Sequence, residues 1–157
     1  PDLGTMFSVV LPVEVDDRKM VELRDPLPLI ELDGKRIMVL DDDEGVVEAT
    51  LALLSRWGAK TMGAHTADDA VRLATAVEQI PDLVIVDYVL SDSETGIDVI
   101  RRLDEALGFS VPRIVISGAV STRLITEVRS AGSVLLHKPV NPAKLRSLIH
   151  HLLPSGS

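Results

Sequence analysis

An apolar run leads directly into three acidic residues in the stretch Arg36-Ile37-Met38-Val39-Leu40-Asp41-Asp42-Asp43. The run does not alternate with polar residues, which predicts a strand buried on both faces, as in a parallel sheet covered by helices. A second apolar run, from Leu83 to Val86, also ends at an acidic residue, Asp87. Because open parallel sheets bind ligands at the carboxyl ends of their strands, we expect these carboxylates to converge at one edge. Such carboxylates repel each other unless a cation lies among them, which predicts a divalent metal site with one further carboxylate free to react.

From residue 34 onward, strand-like and helix-like segments alternate along the chain as far as the last helix. Besides the two runs above, the predicted strands are 59–63, 111–116 and 134–136, and each strand is followed by apolar residues at helical spacing. Thr66 and Asn141 are predicted helix caps, and Pro142 suits a first helical turn. Five such β/α units predict a doubly wound α/β fold, because right-handed crossovers place helices on both faces of a five-stranded parallel sheet.

Composition excludes several classes of protein. The net charge of −8 argues against direct nucleic-acid binding, which normally needs a basic face. No apolar run approaches the ~20 residues that cross a bilayer, so no membrane contact by this chain is expected. There is no cysteine and hence no disulfide framework or thiolate metal site, which fits a cytoplasmic location. The length of 157 residues allows one ordinary domain with a tail.

The residues at the predicted strand ends form an ordered set. Asp41, Asp42, Asp87, Ser117 and Lys138 follow strands one, three, four and five, in that order along the chain. This set resembles the receiver domain of two-component response regulators, over residues 34–153. The resemblance implies a flavodoxin-like receiver fold with Mg²⁺ as the cofactor. It also implies that the chain acts as a signalling switch and does not turn over an external substrate.

The resemblance assigns the metal ligands residue by residue. Asp42 matches the acid that ligates Mg²⁺ directly, and Asp41 matches the one that holds it through water. Asp87 and the main-chain carbonyl of Val89 complete the implied protein ligands. Mg²⁺ keeps several waters and takes few carboxylates, which suits a cluster of this size.

The same resemblance assigns the reacting groups. Asp87 matches the phosphoacceptor, whose carboxylate attacks a phosphohistidine. Lys138 matches the lysine that pairs with the phosphoryl oxygens, and Ser117 matches the hydroxyl that turns inward toward the phosphoryl group. Pro139 stands where the family commonly has a cis proline.

The chain also departs from the family's usual pattern. Ser91 stands where a proline is usual, the loop before Gly96 is one residue longer, and Leu135 replaces an aromatic residue that moves on phosphorylation. These departures leave open an alternative, a phosphate-independent receiver-like protein-binding module. A phosphatase-like enzyme ranks last, because Val89 cannot serve as the general acid that such an enzyme needs near its nucleophile.

Residues 1–33 lie outside the alternating pattern. Residues 4–12 resemble the last strand of a histidine-kinase ATPase domain, so we expect a remnant of a preceding domain at 1–12, a linker at 13–33, the receiver at 34–154 and a tail at 155–157. The parent polypeptide is then a hybrid sensor histidine kinase. Membrane attachment of that kinase is compatible with this expectation. The expected partners are the kinase's phosphohistidine domain and a histidine phosphotransfer domain. Two surfaces are candidates for a homodimer contact: the amino-terminal segment and the face formed by the fourth helix, fifth strand and fifth helix.

Overall fold

One five-stranded parallel sheet organises the computed structural model, which describes residues 32–76 and 79–153. Its strands are β1 (Arg36–Leu40), β2 (Lys60–Ala64), β3 (Leu83–Asp87), β4 (Arg113–Ser117) and β5 (Val134–His137). The helices are α1 (Glu44–Arg56), α2 (Ala67–Thr75), α3 (Gly96–Leu107), α4 (Thr122–Ser130) and α5 (Pro142–Leu152). The strand order is β2-β1-β3-β4-β5. The predicted doubly wound fold is therefore confirmed.

The sheet separates two apolar cores, because successive side chains of a strand point to opposite faces. On one face, Met38, Leu40, Val84 and Val86 pack against residues of α2, α3 and α4. On the other face, the alternate strand residues, such as Val39, pack against α1 and α5. Burial on both faces explains why the central strands carry continuous apolar runs.

Polar side chains begin the helices. Thr66 accepts a hydrogen bond from the Asp69 amide at α2, and Asn141 accepts one from the Lys144 amide at α5, so both predicted caps are confirmed. Asp43 is the N-cap of α1, where its side chain accepts hydrogen bonds from the amides of Gly45 and Val46. A capping position accepts backbone amides directly, whereas a first-turn residue acts through charge alone.

Four strands, β2 to β5, end one residue later than predicted. The difference in β3, β4 and β5 bears on the site. Asp87, Ser117 and His137 are the last residues of β3, β4 and β5, where the apolar pattern ended at the preceding residues. Asp87 is in register with Ile116, and Ser117 is in register with His137. The sheet ladder therefore holds the backbone of Asp87 and Ser117, which a pattern of side-chain polarity cannot reveal.

Several expectations fall on segments outside the described residues, namely the kinase-like strand at 4–12, most of the linker, the tail at 155–157, and Val77 in the apolar stripe of α2. Leu32, inside the predicted linker, packs with the domain: it is 1% exposed, and its amide donates to the carbonyl of Trp57 at 3.3 Å. Within residues 32–76 and 79–153, no helix is long and apolar enough to span a bilayer.

Candidate functional site

Three carboxylates meet at the carboxyl edge of the sheet. Asp41 directly follows β1 and Asp87 ends β3, and these strands are neighbours with Leu40 in register with Val86. One oxygen from each of Asp41, Asp42 and Asp87 lies within 4.8 Å of the other two. Asp41 is 5% exposed and Asp87 8% exposed, whereas Asp42 faces solvent. The predicted convergence of these three residues is thus present in the structure.

The carboxylate cluster suits a hard divalent cation in its donor chemistry. All three side chains offer oxygen, which Mg²⁺ prefers, and opposite oxygens around an octahedral Mg²⁺ stand roughly 4.2 Å apart. The carboxylate oxygens of the cluster lie within 4.8 Å of one another, close enough to share one such ion. The residues present therefore fit such an ion.

Burial and mutual repulsion disfavour ionised carboxylates here. The pKa of Asp41 is raised to about 6, mainly by burial and also by the nearby Asp87 and Asp42 carboxylates, against a lowering hydrogen bond from the Asp43 amide. Burial also raises the pKa of Asp87, against the lowering effect of Lys138, while the charge of Asp42 adds to the increase. Lys138 compensates part of the negative charge of these carboxylates, as expected of a place that receives a cation.

Lys138 reaches the central carboxylate from the far edge of the sheet. Its Nζ lies 3.2 Å from Oδ1 of Asp87, and its amide donates to the carbonyl of Ser117 at 2.8 Å. The peptide bond between Lys138 and Pro139 is cis, as the resemblance led us to expect. The structure therefore brings the predicted lysine onto the predicted acceptor.

Ser117 lies at the same edge but is engaged elsewhere. Its Oγ donates to the carbonyl of Ala119 at 2.8 Å and accepts from the Ala119 amide at 3.1 Å. Within the described residues, no hydrogen bond joins Ser117 to Asp87. Val89, two residues beyond Asp87, forms an isolated antiparallel bridge with Thr95, and its side chain is 62% exposed. Among the described residues, neither Ser117 nor Val89 forms a hydrogen bond with the side chain of Asp87.

Gly96 allows α3 to start directly against the acceptor strand. A Cβ at this position would lie 2.5 Å from the main-chain carbonyl oxygen of Asp87, closer than side-chain carbons approach. The Gly96 amide also donates to the Tyr88 carbonyl at 2.7 Å. This close approach of Gly96 to Asp87 is visible only in three dimensions, since no pattern along the chain indicates it.

Sequence reasoning missed two contacts around the site. The Tyr88 hydroxyl donates to Oε1 of Glu127 on α4 at 2.7 Å, and this hydrogen bond raises the pKa of Tyr88. His65 Nδ1 lies 3.2 Å from the carbonyl oxygen of Asp41. A tyrosine next to the acceptor was a visible signal, but its partner lies 39 residues away and no local pattern indicates it.

The fold has close relatives among solved structures. A response regulator receiver domain protein (CheY-like) from Methanospirillum hungatei JF-1 is 25% identical with a TM-score of 0.65, covering 74% of this chain and 91% of that one. A receiver domain protein from Clostridium thermocellum is 22% identical with a TM-score of 0.68, covering 76% and 94%. At such identities the likeness supports the fold.

Sequence comparison extends the relationship. The phyllosphere-induced regulator PhyR of Methylorubrum extorquens is 30% identical over 118 residues, which are 74% of this chain and 43% of that regulator. The chain thus spans less than half the length of this relative. The family model for the response regulator receiver domain matches residues 37–150, nearly the whole sheet with its helices. With its carboxylate cluster and its lysine at the carboxyl edge of that sheet, this chain belongs to the response regulator receiver domain family of two-component signalling.

Proposed function

We propose that Asp87 accepts a phosphoryl group from a phosphohistidine. One carboxylate oxygen of Asp87 attacks the phosphorus, the new O–P bond forms an acyl phosphate, and the P–N bond breaks with its electron pair remaining on the imidazole. The observation that carries this proposal is the grouping of Asp41, Asp42 and Asp87 within 4.8 Å, with Lys138 Nζ 3.2 Å from Asp87.

Lys138 and Ser117 have distinct roles in this proposal. Lys138 neutralises charge that develops on the phosphoryl oxygens, because its ammonium already lies beside the acceptor oxygen. Ser117 donates a hydrogen bond to the transferred group after giving up the carbonyl of Ala119. The contact seen between Ser117 and Ala119 therefore belongs to the unphosphorylated form.

Asp41, Asp42, Asp87 and the main-chain carbonyl of Val89 are the proposed protein ligands of Mg²⁺. When bound, the ion supplies positive charge that offsets repulsion between the carboxylates and the incoming phosphoryl group. The raised pKa of Asp41, about 6, supports a cation requirement, since burial and the Asp87 charge disfavour its ionised form in the ion's absence.

The proposed context is the carboxyl-terminal receiver of a hybrid sensor histidine kinase in the cytoplasm. The resemblance of residues 4–12 to a kinase strand supports it, with a linker at 13–33 and the receiver at 34–154. The phosphohistidine of the kinase is then the donor, and a histidine phosphotransfer domain is the acceptor. In this context the chain catalyses its own phosphorylation and dephosphorylation only.

The test is incubation with a small phosphodonor such as acetyl phosphate, with and without Mg²⁺, followed by intact mass. We expect a gain of one phosphoryl group that requires Mg²⁺ and is absent in Asp87→Asn. Lys138→Ala should slow the gain, whereas Lys144→Ala, an exposed lysine on α5, should leave it unchanged.

If the chain gains no phosphoryl group from any small donor, it should next be incubated with a phosphorylated histidine-kinase core. Transfer from the kinase alone would support the proposal and would show that the chain accepts a phosphoryl group from a phosphohistidine but not from small phosphodonors. Failure with the kinase as well would contradict it and favour the phosphate-independent binding module, for which the replacement of the family's aromatic residue by Leu135 is the supporting observation.

A further inference from the structure

Tyr88 forms a side-chain link between the acceptor strand and α4. It is the single tyrosine of the chain and directly follows Asp87. Its hydroxyl donates to Oε1 of Glu127, in the middle of α4, at 2.7 Å. Within the described part of the chain, no other side-chain hydrogen bond joins residues 83–95 to α4 or its caps. The link therefore sets where α4 lies relative to the end of β3.

The backbone of Tyr88 leaves little freedom at the other end of this link. Its amide donates to the carbonyl of Ile116 on β4 at 2.8 Å, and its carbonyl accepts from the Gly96 amide at 2.7 Å. Its ring packs against the core between the sheet and α2, α3 and α4. Tyr88 is thus anchored to β4 and to the start of α3, so movement across the link must come from α4.

The loop before α4 is where such movement would begin. Ser117 ends β4, and its hydroxyl holds the backbone of Ala119 through two hydrogen bonds. Ser121, four residues after Ser117, is the N-cap of α4 and accepts from the Leu124 amide. Under the proposed function Ser117 turns to the phosphoryl group, so it releases Ala119. Because three residues separate Ser117 from the cap, rearrangement of this loop displaces α4.

The usual aromatic position offers no alternative link. Leu135 on β5 has no polar atom in its side chain and packs against the same core as Tyr88. A leucine cannot respond to Ser117 through a hydroxyl. The polar aromatic side chain on this face of the sheet is that of Tyr88, which comes from the acceptor strand itself.

We propose that the Tyr88–Glu127 hydrogen bond is a positioning contact that holds α4 in its resting place and is given up when Asp87 is phosphorylated. This inference rests on the proposed function, since it concerns how that same site is regulated. If this hydrogen bond forms only in the resting form, it stabilises that form. Its removal therefore shifts the equilibrium between the two forms toward the phosphorylated one. Neither Tyr88 nor Glu127 takes part in phosphoryl transfer.

The experiment uses the whole chain with Mg²⁺ and beryllofluoride, a mimic of the phosphoryl group. Tyrosine labelled with ¹³C at Cζ gives a single resonance, because the chain has one tyrosine. That carbon reports whether the hydroxyl donates to a carboxylate. We expect the resonance to move as beryllofluoride saturates Asp87, toward the position that Glu127→Ala shows without the mimic.

Variants supply the thermodynamic half of the test. Tyr88→Phe removes only the hydroxyl, and it should bind beryllofluoride about 3- to 10-fold more tightly than the wild type, as expected for loss of one hydrogen bond of ordinary strength. Glu127→Ala removes the acceptor of the same hydrogen bond and should also bind beryllofluoride more tightly. With two variants, the test still stands if one of them fails to fold. Thr126→Ala, an exposed neighbour on α4, is the matched control and should behave as the wild type.

The outcomes separate the two proposals. A wild type that fails to bind beryllofluoride overturns the proposed function and this coupling with it. Binding with an unmoved tyrosine resonance, or with equal affinity in Tyr88→Phe and wild type, overturns the coupling and leaves the phosphoacceptor site intact. A moved resonance with tighter binding in both variants supports it.

Discussion

Asp41 illustrates at the level of a single residue how a functional site opposes the stability of the fold. It is 5% exposed, and its pKa of about 6 exceeds the ordinary value of 3.8 because of burial and the nearby Asp87. The folded chain therefore binds this proton more tightly than the unfolded chain does. Stability from this group is present at low pH and is lost as pH rises through about 6.

Asp41→Asn should consequently stabilise the chain without Mg²⁺. We expect the free energy of unfolding at pH 8 to rise by about 1–3 kcal/mol, since one pKa unit corresponds to about 1.4 kcal/mol. The gain should fade as pH drops below about 6, where Asp41 itself is protonated. Urea unfolding followed through Trp57, the single tryptophan, measures it. Asp92→Asn, at an exposed loop position, is the control, and a less stable Asp41→Asn at pH 8 would contradict the argument.

At the level of elements, a capped helix follows each strand end that carries the site. Each of the five helices in the described segments has an N-cap side chain that accepts a hydrogen bond from a backbone amide. The N-caps are Asp43, Thr66, Thr95, Ser121 and Asn141. The α3 cap is a capping box, in which Thr95 accepts from the Asp98 amide while Asp98 Oδ2 accepts from the Thr95 amide at 2.9 Å. These caps satisfy amides that the short turns leave without helical partners.

Asp98→Ala tests the capping box. The hydrogen bond from the Thr95 amide lowers the pKa of Asp98, so this carboxylate contributes stability above its unfolded pKa, and that contribution is lost as pH falls through the folded value. We expect a loss of about 1 kcal/mol at pH 7, typical of capping side chains. The difference from wild type should shrink below about pH 4. Thermal unfolding at the two pH values measures it, and a pH-independent difference would argue against the carboxylate's role.

At the scale of the whole molecule, Arg113 ties three elements together. Its side chain is 8% exposed and extends from β4, and Nη1 donates to both carboxylate oxygens of Asp104 on α3, at 2.7 and 2.9 Å. Its other terminal nitrogen donates to the carbonyl of Ala131, the C-cap of α4. The guanidinium therefore fixes α3 and α4 relative to the sheet.

Arg113→Met should lower the free energy of unfolding by about 2–4 kcal/mol, because two acceptors lose a buried, charged partner. Asp104→Ala leaves the buried guanidinium unpaired and should be similarly destabilising. In a double-mutant cycle the combined loss should fall short of the sum by about 1 kcal/mol or more. Arg101→Met, which removes an exposed pair with Asp98, is the matched control and should change stability by about 0.5 kcal/mol or less. Additive losses would show that Arg113 and Asp104 act independently.

Local patterns along the chain were sufficient to predict the fold and the grouping of the three carboxylates. Apolar runs and helical spacing predicted five strands and five helices in order, since burial on two faces requires continuous apolar strands. Acidic residues behind β1 and β3 predicted the carboxylate cluster, because neighbouring parallel strands bring their ends together. The end of β1 was predicted correctly, but the ends of β2 to β5 were placed one residue early. In β3 and β4 the reason is that Asp87 and Ser117 pair in the ladder despite their polar side chains.

Contacts between distant segments were decided by the tertiary structure alone. Tyr88 meets Glu127, Arg113 meets Asp104, and Gly96 closes on the carbonyl of Asp87 because the packing of α3 and α4 on the sheet brings these atoms together. The contact of Ser117 with Ala119 is local in the sequence, but the rotamer of Ser117 still depends on the conformation of the folded loop. Residue types and spacing are properties of the chain, whereas such distances and orientations arise only when separate elements pack against one another.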